Sequence, residues 1–424
     1  MKKLDYRNIF FLLICLIVFL RPFIVDEVYE TAALVYNFLL FAIFLIFILI
    51  YPKSVFKNNI LNFPILSLVL IYIFSILKYR NYNSGLICLL NLSAGISLFY
   101  LTSCLDVKEI NSLLNVIIWA GIIVSLYGIY QYFWGFDSCL DYLSKLNPYI
   151  LEHNKHYVEK TLISKRVFST FITPNALAGY LIMVIPLLVV KVIKSIKYKD
   201  AFSIPAVFGS AFIILTTVLF FTKSLLSILS FIMVLCFLLF LTVNNMVSNR
   251  LLKKKLIFFS VITITVLFLL FVHVVFLRKY YAIDLYRLNW SIMQRFNYLF
   301  STIEMIKEHP IFGFGVGNYA KTYLRFMKPG ANFTVFVHNS YLQIWAEAGA
   351  LGVLAFLSIV ILFFKKSFIR IKKRDVNSNL DISVFCAGLA FLIHCVVDND
   401  FFIAQVSYHW WVLVGIVIGL DKSS

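Results

Sequence analysis

Charged residues are scarce in this sequence, and acidic residues are the scarcest. Charged side chains make up 14% of 424 residues, against about a quarter in soluble domains, and 20 acidic residues face 38 basic ones. Hydrophobic residues make up 62% of the chain. A soluble fold of this composition would expose more apolar surface than water tolerates. The composition therefore excludes an ordinary soluble domain and predicts a membrane protein.

Cysteine is also sparse, and its placement excludes two kinds of small stabilised domain. All but one of the seven Cys residues lie in or beside apolar runs, and only Cys139 falls in a long polar stretch. No CxxC pair, zinc-binding spacing or disulfide framework can be built from them. We expect neither a structural metal site nor a disulfide-stapled domain.

Long apolar runs, separated by turn residues and charges, are what the sequence does contain. Twelve are candidate membrane spans, for which a helix needs about 20 residues. They are 8–24, 31–51, 59–77, 86–102, 110–133, 175–194, 201–221, 224–244, 254–277, 342–364, 382–397 and 403–420. No small-residue cleavage site follows the first run, so we interpret it as an uncleaved helix. The prediction is an all-α, polytopic transmembrane helical bundle of about twelve helices, a single integral membrane domain over 1–424.

The basic clusters test this count, because cytoplasmic connections of membrane proteins are rich in Lys and Arg. With a cytoplasmic N-terminus, the inner connections hold the clusters and two outer turns hold acids instead. The clusters begin at Lys2, Lys53, Lys191, Arg250 and Lys365. An even number of spans with both termini cytoplasmic is the consistent solution. The net charge of +18 then reflects topology, and we expect no nucleic-acid partner.

Two connections on the predicted outer side are long, at 134–174 and 278–341. Loops of this size are more often functional than idle. Both hold basic residues against the positive-inside trend, and so does a tight outer turn at Lys223, where a charge needs a partner or a task. We expect no DxD and no cluster of metal ligands in an outer loop. We therefore predict an outer-face site that works without metal and binds an anion near Lys223.

His338 stands at the end of the second long loop, where the tenth span begins. Asn339 or Ser340 can cap that helix. A neutral imidazole at this place can accept a proton. A solitary loop His is usually structural, and we interpret the other loop His residues in that way, but the residues around His338 favour a functional role.

The residues that follow His338 resemble a known signature. His338-Asn339, nine residues, Gly349, two residues and Gly352 match the pattern of bacterial O-antigen ligases: His, then Asn, Ser or Gln, nine positions, Gly, two positions and a small residue. The short helix and Pro-to-Gly loop of 303–318 are similar to a second stretch of that family, including the Arg before it.

Two further stretches extend the resemblance to about 166–420. Arg166, followed by Pro174-Asn175, resembles the family's other outer-loop Arg, and Arg295 is the Arg before the short helix. At the start of the eighth span the family often has Ser-Arg-Gly, whereas this chain has Thr222-Lys223-Ser224. Lys keeps the positive charge but lacks the bidentate fork of Arg. The combination is specific for the superfamily of O-antigen ligases and O-antigen polymerases.

The resemblance implies a metal-independent glycosyltransferase of the bacterial inner membrane, in lipopolysaccharide or other polysaccharide biosynthesis. The implied donor is an undecaprenyl-diphosphate-linked glycan, and the implied acceptor is a glycan or lipid A core, joined on the extracytoplasmic face without a cofactor. Arg166, Arg295 and Lys223 would bind the diphosphate, both Arg residues would stabilise its growing charge, and His338 would be the general base. The residues implied to support them are Asn339, Gly349 and Gly352.

Four interpretations of the function stay open from the sequence. The ligase is favoured by the signature. A polymerase would use the same donor with a second lipid-linked glycan as acceptor, and a third version would transfer the glycan to protein or to a cell-wall polymer. A lipid-glycan transporter should carry charged or helix-breaking residues at mid-bilayer, whereas the charges here cluster at the faces.

The glycine-rich stretch Gly313 to Gly317 is open to two interpretations. It lacks the preceding strand of a dinucleotide fingerprint. A plain tight turn is the favoured interpretation, and an anion nest whose backbone amides approach a phosphate is the other. The carboxylates Glu304, Glu308 and Glu347 show no glycosidase-like pairing.

The predicted topology can be tested by cysteine labelling from either side of the membrane. In a Cys-free background, single Cys residues in 134–174 and 278–341 should react with an impermeant maleimide added outside. Residues in 365–380 should react only after the membrane is permeabilised. Finding the two long loops on opposite sides would contradict both the topology and the site built on it.

Overall fold

The computed structural model describes residues 6–26, 28–55, 59–146, 162–197, 203–246, 265, 282–373 and 378–422. These residues form helices and connecting turns, with no strand among them. The prediction of an all-α, polytopic bundle is confirmed. The predicted span at 254–277 lies outside the described residues, apart from Thr265.

The main helices of the described part are numbered here in chain order. They are α1 (Tyr6–Leu20), α2 (Glu30–Ile50), α3 (Asn62–Tyr79), α4 (Tyr82–Thr102), α5 (Val107–Tyr130), α6 (Phe136–Leu146), α7 (Pro174–Lys197), α8 (Ser203–Phe221), α9 (Leu225–Met246), α10 (Ala282–Glu308), α11 (Tyr319–Phe326), α12 (Ser340–Lys373), α13 (Ser378–His394) and α14 (Ala404–Lys422). Short helical turns cover Arg21–Phe23, Pro52–Val55, Gln131–Gly135 and Asp400–Phe402.

Nine helical segments of the described part are long and apolar enough to cross a membrane. They include the continuous stretch Val107–Leu143, in which a π-helical turn joins α5 to α6. The apolar helix α13 is shorter, and α14 carries polar residues along a buried length. The exact number of about twelve spans therefore stays a prediction. The two long segments predicted as loops contain helices: α6 lies in the first, and α10 and α11 lie in the second.

Helix α7 lies at the centre of the bundle. Most of its length from Ala176 to Val190 is buried, and it packs against α8, α9 and α13. Helix α14 packs against α4, while α12 packs against α3 and α13. A helix that is apolar on nearly every face, such as α7, is buried in the middle of the bundle. Outer helices such as α2 leave apolar side chains exposed, as contact with lipid requires.

The chain alternates between two ends of the bundle. At one end, Arg7 of α1 pairs with Glu109 of α5 at 2.9 Å, and Arg370 of α12 pairs with Asp381 of α13 at 2.7 Å. The other end gathers the starts of α7, α9 and α12 and the turn between α13 and α14, and it is called the site end below.

A kink in α12 near the site end explains the two signature glycines. Gly349 has φ 70° and ψ −173°, outside the helical region, and it divides the helix. The loop after α10 packs into the kink: the Phe314 N–H donates to the Ala346 carbonyl at 2.8 Å, and the Ala350 N–H donates to the Pro310 carbonyl at 2.9 Å. A Cβ at residue 349 would collide with the backbone of Ile311. A Cβ on Gly352 would lie 2.5 Å from the Ala348 Cβ.

We expect Gly349→Ala to destabilise the protein strongly. The left-handed conformation alone costs an L-residue about 1–3 kcal/mol, and the new methyl group would also displace the Ile311 backbone. The measurement is the thermal unfolding midpoint of the purified protein in detergent. Gly209→Ala in α8 is the matched control, because nothing lies within 4 Å of its Cβ position. Equal midpoints for both variants would contradict the role assigned to the kink.

Candidate functional site

A buried carboxylate, Asp398, lies at the centre of the site end. It belongs to the turn between α13 and α14, and its side chain is 7% exposed. Its Oδ1 lies 3.4 Å from His338 Nδ1, and its Oδ2 accepts from Asn175 Nδ2 at 2.7 Å. The Arg295 guanidinium lies 4.0 Å from the same Oδ2. One side chain therefore connects the predicted base, a predicted diphosphate ligand and the start of α7.

The surroundings of Asp398 favour its charged form. Burial by itself would raise the pKa of this carboxyl. The hydrogen bond to His338 and the nearby positive charges outweigh burial and hold the pKa of this carboxyl well below its usual range. A charged carboxylate accepts hydrogen bonds and donates none. The His338 Nδ1 that faces it must therefore carry the proton.

His338 is held by its backbone as well as by Asp398. Its φ of 58° is left-handed, a conformation that few residues other than Gly adopt and that recurs at functional sites. Its ring stacks on Tyr298 with centroids 6.0 Å apart, and about a third of its side chain stays exposed. Since Nδ1 faces Asp398, Nε2 is the nitrogen left to accept a proton from outside.

The start of α12 fixes the loop that carries His338. Asn339 Oδ1 accepts from the Leu342 N–H at 3.0 Å, which is the helix cap expected from the sequence. Ser340 turns toward the α13–α14 turn instead: its N–H donates to the Cys395 carbonyl at 2.8 Å, and its hydroxyl donates to the Asp398 carbonyl at 3.0 Å. The loop and the turn are therefore tied through both side chain and backbone.

Arg295 reaches the site from α10. Its Nη1 donates to the Val397 carbonyl at 3.3 Å, and its side chain is 30% exposed. Tyr298, three residues later, lies one turn along the same helix and supports the His338 ring. Arg295 and His338 are distant in the sequence, but both lie beside Asp398 and Tyr298.

Arg166 and Lys223 meet at a tight turn between α8 and α9. Arg166 Nε donates to the Thr222 carbonyl at 3.1 Å, and its Nη2 donates to Asn175 Oδ1 at 3.3 Å. Lys223 has φ 52°, and its Nζ donates to the Ser164 carbonyl at 2.7 Å. Asn175 thus joins Arg166 to Asp398. The structure brings all four predicted site residues to one end of the bundle.

The glycine-rich stretch folds as a turn whose amides are occupied by the protein itself. The Gly315 N–H donates to the Glu347 carbonyl at 2.9 Å, and the Val316 N–H donates to Ser75 Oγ at 2.9 Å. The Gly317 N–H donates to Glu347 Oε2 at 3.0 Å. A buried carboxylate therefore fills the place of an anion, and the tight-turn interpretation is confirmed over the phosphate nest.

The expectation that no outer loop carries a DxD is wrong, because Asp398-Asn399-Asp400, in a turn predicted to face outward, has this spacing. The two carboxylates have different partners: Asp398 contacts His338, whereas Asp400 contacts His394. Among the residues that the structure describes, no group of three or more His, Cys, Asp or Glu side chains has the arrangement of a metal site. Metal-independent chemistry remains a prediction.

Sequence reasoning missed Asp398 and the partners of Arg166. Asp398 was visible only as an acid in a short outer turn, and Asn175 only as the residue after a Pro. A usable signal was present, because a carboxylate in a short turn between two apolar helices is costly unless it is paired. The predicted cations offered suitable partners for it.

Residues 210–357 match the model of a protein family described as O-antigen ligase. This part of the chain holds Lys223, Arg295, His338 and both signature glycines, whereas Arg166 and Asp398 lie outside it. The resemblance to the O-antigen ligase superfamily is thereby confirmed. The chain is similar to a family of membrane glycosyltransferase-like ligases, in keeping with its many apolar helices. The curated proteins contain no match to the chain.

We expect Glu347→Gln to destabilise the protein, although the two side chains have the same shape. Glu347 Oε1 accepts from Gln343 Nε2 at 3.0 Å, and Oε2 accepts from Gly317 N–H, so the amide of Gln would place a donor against a donor. A buried donor left unsatisfied costs about 1–3 kcal/mol. Thermal unfolding in detergent measures the effect. Glu308→Gln, which alters an exposed carboxylate, should leave the midpoint in place. A stable Glu347→Gln variant would show that the turn does not need this carboxylate.

Proposed function

We propose that this protein transfers a glycan from undecaprenyl diphosphate to an acceptor hydroxyl on the extracytoplasmic side of the inner membrane. The observation that carries the proposal is the single carboxylate, Asp398, that orients His338 and lies beside Arg295. A proton acceptor and a cation that suits phosphate are thereby held next to each other. The match of residues 210–357 to O-antigen ligases supports the same reaction.

The cations of the site suit the diphosphate of the donor. Arg295 is partly exposed, and its guanidinium lies beside Val397 and Asp398. A planar guanidinium matches phosphate oxygens in a bidentate way. Arg166 and Lys223 add positive charge from the turn between α8 and α9. Diphosphate becomes more negative as it leaves the sugar. Fixed cations at that place therefore stabilise the transition state more than the bound donor.

His338 acts in this mechanism as the general base. The acceptor hydroxyl gives its proton to Nε2 while its oxygen forms a bond to the anomeric carbon of the donor sugar. The bond between that carbon and the diphosphate oxygen breaks, and its electron pair leaves on the diphosphate. The resulting imidazolium lies against the Asp398 carboxylate, which stabilises its charge. A single displacement of this kind inverts the anomeric configuration.

A ligase acceptor, such as a lipid A core, is the proposal for the second substrate. The family model that matches is described as a ligase, and the His-Asn-x9-Gly-x2-Gly pattern agrees with it. A polymerase would use the same donor site with a second lipid-linked glycan. Purified protein given lipid-linked donor and either acceptor, without nucleotide, separates the two. Movement of donor across vesicles without a new glycosidic bond would support a transporter instead.

We expect His338→Ala to lose transfer while it still binds the lipid-linked donor. Loss of a general base lowers a rate typically by about 10²–10⁴-fold. The measurement is the transfer rate at saturating donor, with binding of undecaprenyl diphosphate followed separately. His309→Ala is the matched control, because that ring is exposed, lies 3.7 Å from the Glu308 carboxylate and meets Phe314 edge to face at 4.5 Å. Transfer by His338→Ala at the rate of the parent protein would remove His338 from the mechanism.

Arg295→Ala should abolish transfer, and Arg295→Lys should recover little of it. Lys keeps the charge but contacts phosphate through one nitrogen, so it loses the paired contacts of the fork. The binding constant for undecaprenyl diphosphate and the transfer rate should both fall in Arg295→Lys. Arg325→Ala serves as control, since this exposed guanidinium pairs with Glu308 at 3.3 Å. Full activity of Arg295→Lys would indicate that charge alone is required.

A further inference from the structure

A chain of four polar side chains runs through the apolar bundle directly beneath the site. His394 Nδ1 lies 2.6 Å from Asp400 Oδ2, and His394 Nε2 lies 2.6 Å from Ser227 Oγ. Ser227 Oγ in turn lies 2.6 Å from Ser224 Oγ. These residues, Ser224, Ser227, His394 and Asp400, are called the buried relay below. None of them belongs to the mechanism proposed above.

The buried relay has the order of a Ser–His–Asp triad but cannot act as one. Ser227 and Asp400 are 0% exposed, and His394 is 1% exposed. A nucleophile must reach its substrate, and no substrate reaches a side chain enclosed by α9, α13 and the following turn. The short contacts therefore serve another purpose than covalent chemistry.

The two ends of the relay lie in the two halves of the site. At one end, the Ser224 N–H donates to Thr222 Oγ1 at 3.2 Å, and the Thr222 carbonyl accepts from Arg166. At the other end, Asp400 stands two residues after Asp398 in the same turn, and the neighbouring Phe401 N–H faces Ser340 Oγ at 3.4 Å. The relay thus spans from the cationic turn to the turn that holds the base.

Stability alone does not account for a group of this kind. Asp400 Oδ1 is buried and has no hydrogen-bond partner among the described residues. A Cβ on Gly179 of α7 would lie 2.5 Å from Asp400 Oδ2, so the carboxylate is pressed against the central helix. A buried ionisable pair with an unsatisfied oxygen contributes little compared with apolar residues of the same volume, and such pairs can instead fix geometry.

We propose that the buried relay is a positioning device that holds the Thr222–Ser224 turn, and through it Arg166, at a set distance from Asp398 and His338. The inference rests on the proposed function, because it assigns the cationic turn to the diphosphate. Ser227 lies in the first turn of α9, and His394 is the last residue of α13. Their hydrogen bond ties the two helix ends that carry the two halves of the site.

Ser227→Ala tests the relay, because it removes one hydroxyl and almost no volume. We expect the catalytic efficiency of transfer and the affinity for undecaprenyl diphosphate each to fall about tenfold, the size expected for one hydrogen bond. The unfolding midpoint should fall as well, because the buried His394 Nε2 and Ser224 Oγ lose a partner, so affinity is compared at a temperature where the variants and the parent protein are fully folded. Ser230→Ala is the matched control: this hydroxyl, one turn further along α9, donates to the Leu226 carbonyl of its own helix. It should leave both measurements unchanged.

A double-mutant cycle in full-length protein in nanodiscs separates positioning from a general structural effect. If the relay acts through Arg166, adding Ser227→Ala to Arg166→Gln should produce no further loss of diphosphate affinity. Added to Arg295→Lys, it should multiply the loss. Full additivity with Arg166→Gln, or an affinity equal to that of the parent protein when all variants are fully folded, would overturn the proposal.

The outcomes also distinguish the relay from the function on which it rests. Undecaprenyl diphosphate binding that weakens in Ser227→Ala but not in Ser230→Ala supports the relay even if the parent protein forms no glycosidic bond. In that case the transfer reaction fails while the positioning role stands. Equal diphosphate affinity in Ser227→Ala, Ser230→Ala and the parent protein overturns the relay, whatever the transfer assay shows.

Discussion

A charge buried in an apolar bundle must find partners, and the site end of this protein is organised around that requirement. Asp398 draws together the start of α7 through Asn175, helix α10 through Arg295, and the His338 loop. Removing any one partner would leave part of a buried charge uncompensated, which is expensive in a low dielectric. The same contact that satisfies the carboxylate also fixes the proton on His338 Nδ1. Folding and proposed chemistry therefore depend on one interaction.

The surrounding architecture keeps this cluster rigid by occupying its backbone groups. The kink at Gly349 leaves the Ala346 and Glu347 carbonyls of α12 free to accept from outside the helix. The N–H groups of Phe314 and Gly315, in the loop after α10, donate to them. The Glu347 carboxylate accepts from the Gly317 N–H of the glycine-rich turn. The His338 loop is thus held at a helix start and the loop after α10 at a kink, where backbone groups are available for tertiary contacts.

The sequence was a reliable guide where the signal is local. The apolar run at 86–102 lies within α4, Tyr82–Thr102, and the cap at Asn339 follows from its place before a helix. The family pattern indicates His338, Arg295 and Arg166, and the charge in a tight outer turn indicates Lys223. The structure places all four at one end of the bundle. The sequence predicts a loop where the polar helices α10 and α11 lie. Their apolar residues cover only one face, so they form no long apolar run.

Contacts between distant parts of the chain could not be read from the sequence. Asp398 follows His338 by 60 residues, and Ser227 precedes His394 by 167. Only the packing of α9 and α13 brings the latter pair together. Such pairs carry no spacing rule, since their meeting depends on helix packing rather than on periodicity. The proposed relay belongs to this class of feature.

At His338 the left-handed backbone favours one residue for stability and the proposed chemistry requires another. Glycine adopts this conformation without the steric cost that a side chain with a Cβ incurs. A selection for thermal stability alone would therefore favour Gly at residue 338, whereas a selection for a proton acceptor would keep His. A more thermostable variant should therefore keep His338. Stabilising substitutions are better placed elsewhere, for example on the lipid-facing helices, where no such conflict exists.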